Sequence, residues 1–333
     1  MRYFRCELHT HTTSSDGSMS PEELVDRAVE CGYDAIVLTD HNTVAGVKRA
    51  ISAGKNRGLT VIPGIEWTTF WGHFTVTGGT SDVLWRDITP QNVDAMIKRA
   101  QEKGDVVAVA HPKRMGFPLC SGCHCDYDPC KIKGANNYEV WSHYYPNEGV
   151  AARQQREQWY SLLSEGLRIG AVYGYDWHRR DDVPPSYAYT YVGAESASEK
   201  DILSGLGRGT TYITVGVLAD CAAVCEGREY PIGSVLPKGE AEISVLCERI
   251  EDYRSDKPDE LTRAEIRTDK GVTSAPIRFG ERIKVKTTFE KYCVVEIYGK
   301  RKREEQLLAI TSAFYAGGIC DDHGTRRSAG NRA

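Results

Sequence analysis

Residues 3–41 read YFRCELHTHTTSSDGSMSPEELVDRAVECGYDAIVLTDH. Residues 3–9 predict a strand, and it ends on a histidine pair, His9 and His11. Ser20-Pro21-Glu22-Glu23 then supplies an N-cap serine, a proline at the first helical position and a capping-box glutamate, while Gly32 supplies the stop. A helix is therefore expected over about 21–31. Ala35-Ile36-Val37-Leu38 is a short apolar run of the kind that forms a buried strand, and Asp40-His41 follows it directly. The unit is strand, helix, strand, with chemistry-bearing residues where each strand stops.

Working outward, the same alternation continues. A helix is expected near 44–57, stopped by Gly58, followed by strands at Thr60-Val61-Ile62 and Phe74-Thr75-Val76-Thr77. Thr89-Pro90 opens another helix that Gly104 closes, and Val106–Ala110 is a strand running into His111. Tyr138-Glu139-Val140-Trp141 is strand-like, a polar helix fills about 148–165, and 169–173 is the next strand. Repeated strand–helix alternation implies a parallel sheet, and over about 200 residues a closed or nearly closed barrel is the simplest arrangement. After Gly205-Leu206-Gly207-Arg208-Gly209, read as a junction, the texture changes. Short alternating segments at 211–217, 241–249, 262–268, 282–289, 292–298 and 306–314 suggest a small β-sandwich. The expected division is 1–207, 208–316 and a polar, frayed tail at 317–333. Lys300-Arg301-Lys302-Arg303, between two of these strands, is more simply a solvated hairpin turn than a nucleic-acid patch.

Composition sets the outer limits. The chain has 333 residues, a net charge of −4, 41% hydrophobic and 26% charged residues, which suits one or two ordinary domains and excludes a coiled coil or collagen. The acidic balance argues against general nucleic-acid binding, and no run approaches the roughly 18 apolar residues of a membrane span. Eleven cysteines cannot all pair within one chain, and the N-terminus leads into a polar strand rather than an apolar leader. Reduced thiols and a cytoplasmic location are expected. Cys31, Cys247 and Cys293 fall on apolar faces and should pack as small hydrophobes.

The histidines are more informative. His9 and His11 lie two apart at a strand end, and Asp176 and His178 repeat that spacing after the 169–173 strand. His41 follows the second strand, Glu66 the third, His73 opens the next, and His111 ends Val106–Ala110. Each alone is weak, since single loop carboxylates and strand-end histidines are usually solvated or hydrogen-bonded. Jointly, six of nine histidines and three carboxylates, Asp16, Glu66 and Asp176, share one rim, because strand ends in a β/α barrel converge on one mouth. Imidazoles and carboxylates without thiolates suit two to three divalent ions, Mn, Fe or Zn, in hydrolytic use.

These residues also carry a family resemblance. Leu8-His9-Thr10-His11, Asp16-Gly17, Thr39-Asp40-His41-Asn42, Gly64-Ile65-Glu66, Ala110-His111-Pro112 and Gly174-Tyr175-Asp176-Trp177-His178 resemble, in order, the motifs of the PHP superfamily, the polymerase and histidinol phosphatase metallohydrolases. The likeness covers about residues 5–207. Gly64-Ile65-Glu66-Trp67-Thr68-Thr69 with Trp71-Gly72-His73-Phe74, and the all-β tail, more narrowly resemble the carbaryl hydrolase-like branch. The resemblance implies a distorted seven-stranded β/α (TIM-like) barrel with a trinuclear centre. Carried over by position, His9, His11, Glu66 and Asp176 would hold one metal, Asp16, His41 and His178 a second, and Glu66, His73 and His111 a third, with His143 the rival to His73. Asp40 would orient a ligand from behind.

The implied reaction is hydrolysis by a metal-bridging hydroxide, with His9, His11, Asp16, Glu66, Asp176 and His178 as the catalytic set. For a small anionic substrate, a phosphate ester above all, Lys113, Arg114, Arg179 and Arg180 would bind the remaining oxygens and His143 would protonate the leaving group. Carboxyl or carbamate ester hydrolysis is the alternative enzyme reading, and a non-catalytic, metal-stabilised binding module the third. Cys120, Cys123, Cys125 and Cys130 lie within eleven residues and could bind a separate structural zinc or form a local disulfide, though the usual second Cys-x-x-Cys is missing.

Overall fold

The computed structural model describes residues 1–79, 83–114, 125–127, 132–143, 147–182, 188–237, 239–252 and 257–317. The first part of the chain forms β1 (Arg2–Thr10), α1 (Pro21–Glu30), β2 (Ala35–Leu38), α2 (Val47–Arg57), β3 (Thr60–Thr69), β4 (Gly72–Thr77), α3 (Val93–Glu102), β5 (Val106–Ala110), β6 (Asn137–Ser142), α4 (Gly149–Ser164), β7 (Gly170–Gly174), β8 (Tyr189–Ala194) and α5 (Glu199–Gly207). The local signals behave as chemistry dictates. Ser20 Oγ accepts the Glu23 N–H at 3.3 Å, the Glu23 carboxylate accepts the Ser20 N–H at 2.7 Å, and Gly32 turns the chain at φ +75°. Helix α2 starts at Val47, later than expected. Asn42 holds the preceding loop against β3 instead, accepting the Thr68 N–H at 2.9 Å and donating to its carbonyl at 3.1 Å.

Strands β1 to β7 lie side by side in sequence order, but they are not all parallel. Strand β4 runs antiparallel to both β3 and β5, through a tight reversal at Phe70-Trp71 that pairs Thr69 with Gly72. The purely parallel sheet expected from the alternation is therefore corrected: β4 follows β3 with no intervening helix, so it returns as a hairpin. The seven-stranded TIM-like ring is met only as an α/β arrangement, because β7 makes no backbone ladder with β1 or β8 among the described residues. Hydroxyls take the place of that ladder. Thr190 Oγ1 accepts the Tyr173 N–H at 2.8 Å and donates to its carbonyl at 2.9 Å, Ser312 Oγ accepts the Ala171 N–H at 2.8 Å, and Thr211 Oγ1 donates to the Ala171 carbonyl at 2.7 Å. A single parallel bridge, Thr10 to Trp177, joins β1 to the segment after β7.

This closure gives a test. Thr190→Val keeps the shape but leaves two Tyr173 backbone groups without that partner, so it should cost roughly 1–3 kcal/mol in denaturant unfolding. A midpoint equal to wild type would show that the hydroxyl does not seal this edge.

The second part forms β9 (Thr211–Thr214), β10 (Val217–Cys225), β11 (Arg228–Pro231), β12 (Val235–Leu236), β13 (Glu240–Arg249), β14 (Glu260–Thr268), β15 (Gly271–Pro276), β16 (Arg282–Thr288), β17 (Tyr292–Arg301), β18 (Glu304–Thr311) and β19 (Phe314–Ala316). A four-stranded sheet, β11-β10-β13-β16, accompanies a second set, β12-β19-β17-β18, which continues through β9 and β8 into β1. The proposed division near residue 208 falls in the turn between α5 and β9. Lys302 and Arg303 are the two turn residues of the β17–β18 hairpin, both left-handed at φ +53° and +67°, as a tight primed turn requires.

A small apolar cluster, Cys6, Leu8, Val37, Ile62, Ala108 and Val172 with Ile202 and Leu206 of α5, occupies the strand segments just before the chemistry-bearing residues. Those residues thus stand on a dry floor. Six of the described cysteines, Cys6, Cys31, Cys221, Cys225, Cys247 and Cys293, are buried thiols. Cys125 is half-buried, while Cys120, Cys123 and Cys130 lie outside the described residues.

Candidate metal centre

The end of β1 is shaped by a buried acid. Pairing with β2 slips between Glu7 and Thr10, and Glu7 Oε1 fills the gap by accepting the N–H groups of Leu8, His9 and Tyr175, each at 3.0 Å. Burial pushes its carboxyl up to about 7 despite those bonds. His9 and His11 emerge beyond this bulge, fully buried, with ring centroids 5.1 Å apart.

Glu66 on β3 is the hub. Its Oε2 lies 3.2 Å from His9 Nε2, 3.4 Å from His11 Nε2 and 2.9 Å from His41 Nδ1, while Oε1 lies 2.8 Å from His73 Nδ1 and 3.2 Å from His111 Nε2. Asp176 Oδ1 closes one side, 3.0 Å from His11 Nε2 and 3.4 Å from His9 Nε2. Asp16 closes the other, with His178 Nε2 at 3.2 Å and His41 Nε2 at 3.4 Å. The nine residues singled out from strand ends therefore meet in one place. Three ligand groups emerge: His9, His11, Glu66 and Asp176; His11, Asp16, His41 and His178; and His41, Glu66 and His73. Compared with the expected sets, His11 also reaches the second group and His41 the third, whereas His111 joins none of the three and approaches the centre through Glu66 Oε1.

The electrostatics follow from crowding. Burial alone would raise the Glu66 carboxyl, but His9, His73 and His41 outweigh it and hold the group well below the usual carboxylate range. Burial lowers His11 to about 4. At His41 burial also lowers, but Glu66 and Asp16 win and raise it to about 10.

Do these residues fit divalent ions? His9 Nε2, both His11 nitrogens, Glu66 Oε2, His73 Nε2 and Asp176 Oδ1 are buried and, crowded as they are, none makes a well-aligned hydrogen bond among the described residues. Each such atom costs roughly 1–3 kcal/mol unless something satisfies it. Ligands about 2.1 Å from one ion lie within about 4 Å of each other, as these separations do. The nitrogen and oxygen donors, with no thiolate, suit divalent metals. Backbone strain marks the same rim: Asn42, His111 and Asp176 are left-handed at φ +54°, +27° and +63°, a cost of about 1–3 kcal/mol each that surrounding bonds must hold.

The other expected site residues are distributed unevenly. Arg114 is partly buried with Nη1 3.6 Å from Asp176 Oδ2, so it reaches the centre. Lys113 lines a cleft of about 320 Å³ with Pro112, Cys125, Asp126, Tyr127, Ile132 and Gln158. Arg180 does not face the centre in this arrangement: it bonds Glu30 of α1 at 3.0 Å, because the short turn at Arg180–Asp182 that follows His178 lies beside that helix. Arg179 is exposed, and its carbonyl accepts the Trp177 indole N–H at 2.7 Å. His143 stacks on Tyr175 at 5.5 Å and joins none of the three groups. Among the described residues Asp40 meets no imidazole within bonding distance; it accepts from Thr12 N at 2.7 Å, Thr12 Oγ1 at 2.7 Å and Ser15 Oγ at 2.8 Å, pinning the loop that carries Asp16. Sequence reasoning missed Glu7 and Glu139. The available signal was a carboxylate inside an otherwise apolar strand run.

Comparison with known proteins agrees with this geometry. Residues 7–169 match the PHP domain model. The chain is 46% identical over 65 residues to a 5′-3′ exoribonuclease of Haemophilus influenzae, covering 20% of this chain and 24% of that protein. It is 37% identical over 70 residues to a 3′,5′-nucleoside bisphosphate phosphatase of Chromobacterium violaceum, covering 21% and 25%. The chain thus spans about a quarter of the length of these curated relatives. Among solved structures, a Bacteroides vulgatus two-domain protein containing a predicted PHP-like metal-dependent phosphoesterase matches with a TM-score of 0.55 at 15% identity, covering 94% of this chain and 95% of that one. That likeness extends the shared fold across both parts of the chain. Over residues 7–169, then, what the chain is similar to is the PHP domain.

Proposed function

We propose that this chain is a metal-dependent phosphoesterase acting on a small phosphorylated metabolite or nucleotide. The observation that carries the reading is the meeting of six imidazoles and three carboxylates around Glu66 with their buried donor atoms unsatisfied. The names of the two curated relatives, a ribonuclease and a bisphosphate phosphatase, support phosphate over carboxyl esters. His9, His11, Glu66 and Asp176 would hold one ion, Asp16, His41 and His178 a second, and Glu66, His73 and His111 a third, with His11 and His41 as shared neighbours. Bound Mn, Fe or Zn would supply a nucleophilic hydroxide near neutral pH and neutralise charge developing on the phosphoryl group.

The chain's own residues supply the rest. Glu66 and Asp176 fix the imidazoles by charge, and the Asp40-pinned loop holds Asp16 at the rim. Arg114, next to Asp176, is placed to bind a non-bridging phosphate oxygen by a charge-assisted bond. Lys113 and Arg179 are left as outer-rim contacts, and Arg180 as a contact that first requires release from Glu30.

The test compares substrates on metal-loaded protein. Turnover of an aryl phosphate but not of an aryl carboxyl ester or carbamate is expected; the reverse pattern would install the carboxyl-ester reading, and no turnover of either would leave only the binding module. Arg114→Ala should raise KM for the phosphate about tenfold or more, the loss of one charge-assisted hydrogen bond of about 1.5–3 kcal/mol. An unchanged KM would remove Arg114 from the phosphate site.

A further inference from the structure

Glu139 lies mid-strand on β6, is buried with 1% exposure, and serves two strand ends at once. Its Oε1 is 2.8 Å from His9 Nδ1, and its Oε2 accepts the His111 backbone N–H at 2.6 Å. His9 belongs to β1, and His111 directly follows β5; three strands separate those two in the sheet. Gln155 of α4 donates to the Glu139 carbonyl at 2.9 Å and so anchors the residue from behind.

The carboxylate has room for one reason. A Cβ on Gly174 would sit 2.1 Å from Glu139 Oε1 and 2.9 Å from His9 Cβ. Gly174 is not left-handed, so its lack of a side chain serves this close approach and no backbone conformation.

We infer that Glu139 is the positioning residue that makes His9 and His111 fit to hold metal, and that Gly174 is the slot through which it does so. A neutral imidazole carries one N–H, and the partner of that N–H decides which nitrogen faces a metal. With Nδ1–H donated to Glu139, His9 presents Nε2, the buried atom without a hydrogen-bond partner that lies beside Glu66 Oε2 and Asp176 Oδ1. The second oxygen holds the His111 peptide in its left-handed conformation at φ +27°, which a non-glycine residue adopts only when its surroundings compel it. One carboxylate thereby sets the orientation of two neighbouring ligands that meet different oxygens of Glu66.

The inference rests on the metal-holding role proposed above, and its test uses no substrate. Zn²⁺ and Mn²⁺ are titrated calorimetrically into the full-length wild type, Glu139→Gln and Gly174→Ala, with bound metal counted after dialysis. Glutamine can accept only one of the two donors and turns an N–H₂ toward the other. The alanine methyl meets the carboxylate end of Glu139 first and His9 Cβ second, so Glu139 is pushed aside while remaining present and His9 is displaced from its root. Both variants should lose about 10–100-fold in metal affinity. Wild-type affinity in Glu139→Gln overturns the inference, and wild-type affinity in Gly174→Ala overturns the slot. A measurement on the unaltered protein stands apart from any folding defect: ¹⁵N imidazole NMR of the Zn²⁺-loaded wild type should show His9 protonated at Nδ1 and ligated through Nε2. Ligation through Nδ1 would overturn the assignment. A Glu139 that orients neither ligand would leave the metal affinity of Glu139→Gln at the wild-type value, and absence of phosphatase turnover with the affinity losses and Nε2 ligation observed would count against the proposed reaction alone.

Discussion

Glu66→Ala is expected to empty more than one metal position and to lower kcat/KM for a phosphate ester by about 10³-fold or more. Two oxygens of this one side chain lie within 3.4 Å of five imidazoles, so among the described residues no other touches as much of the centre. Losing several kcal/mol of charge stabilisation corresponds to about three decades in rate. Alanine also leaves those imidazoles around a methyl group, where burial and mutual repulsion disfavour their protonated forms and nothing neutralises a bound ion. The contrast with Asp16→Ala sharpens the test. Asp16 is half-exposed at the rim and meets His11, His41 and His178, so its loss should weaken one position and leave the others loaded. His9→Ala should fall between the two. Metal content by elemental analysis, set beside turnover, reads all three variants. Unchanged stoichiometry in Glu66→Ala would sink the bridging role outright.

The centre was legible because its residues sit at strand ends, where sequence position and spatial position coincide. His41, His111 and Asp176 each follow an apolar run that could be little else than a buried strand, His9 and His11 close the strand expected over 3–9, and convergence at the mouth then needs only the alternation of strands and helices. What lies behind the ligands was hidden. Glu139 occupies a strand interior, and its role depends on a neighbour, Gly174, that is thirty-five positions away and looked like an ordinary strand end. Strand polarity was hidden too. The reversal at Phe70-Trp71 carries neither the asparagine nor the glycine that marks a two-residue turn, so β4 looked like one more parallel strand. In the second part, β10 was missed because its three alanines and its aspartate have low strand propensity, and β15 because five of its six residues are exposed and show no alternation. The sealing of β7 by Thr190, Thr211 and Ser312 was beyond reach, since hydroxyls in strands are ordinary until their partners are known.

Chelation should lower the thermal midpoint by roughly 5–10 °C without unfolding the protein. Two opposing effects set that size. Without ions, six buried donor atoms lack partners, each a cost of about 1–3 kcal/mol. Against this, the metal-free centre becomes a web of imidazolium and carboxylate: Glu66 and Asp176 are held well below the usual carboxylate range and His41 is raised to about 10, each against the pull of burial. The web offsets much of the penalty, and the main apolar core extends through both parts of the chain with no contribution from the centre, so the fold survives. Ions restore the remainder by mass action, about 2.7 kcal/mol at a hundredfold excess over Kd for one site and more for several. At about 2 °C per kcal/mol for a chain of this length, the shift reaches the stated range. The same scan on His9→Ala should show a smaller difference between loaded and chelated protein, because one ligand group can no longer close. Calorimetric scans with saturating Mn²⁺ and with excess chelator decide the matter. Identical midpoints in wild type would mean that the unsatisfied atoms around Glu66 are met by protein or water alone, and the centre would then have no thermodynamic need of metal.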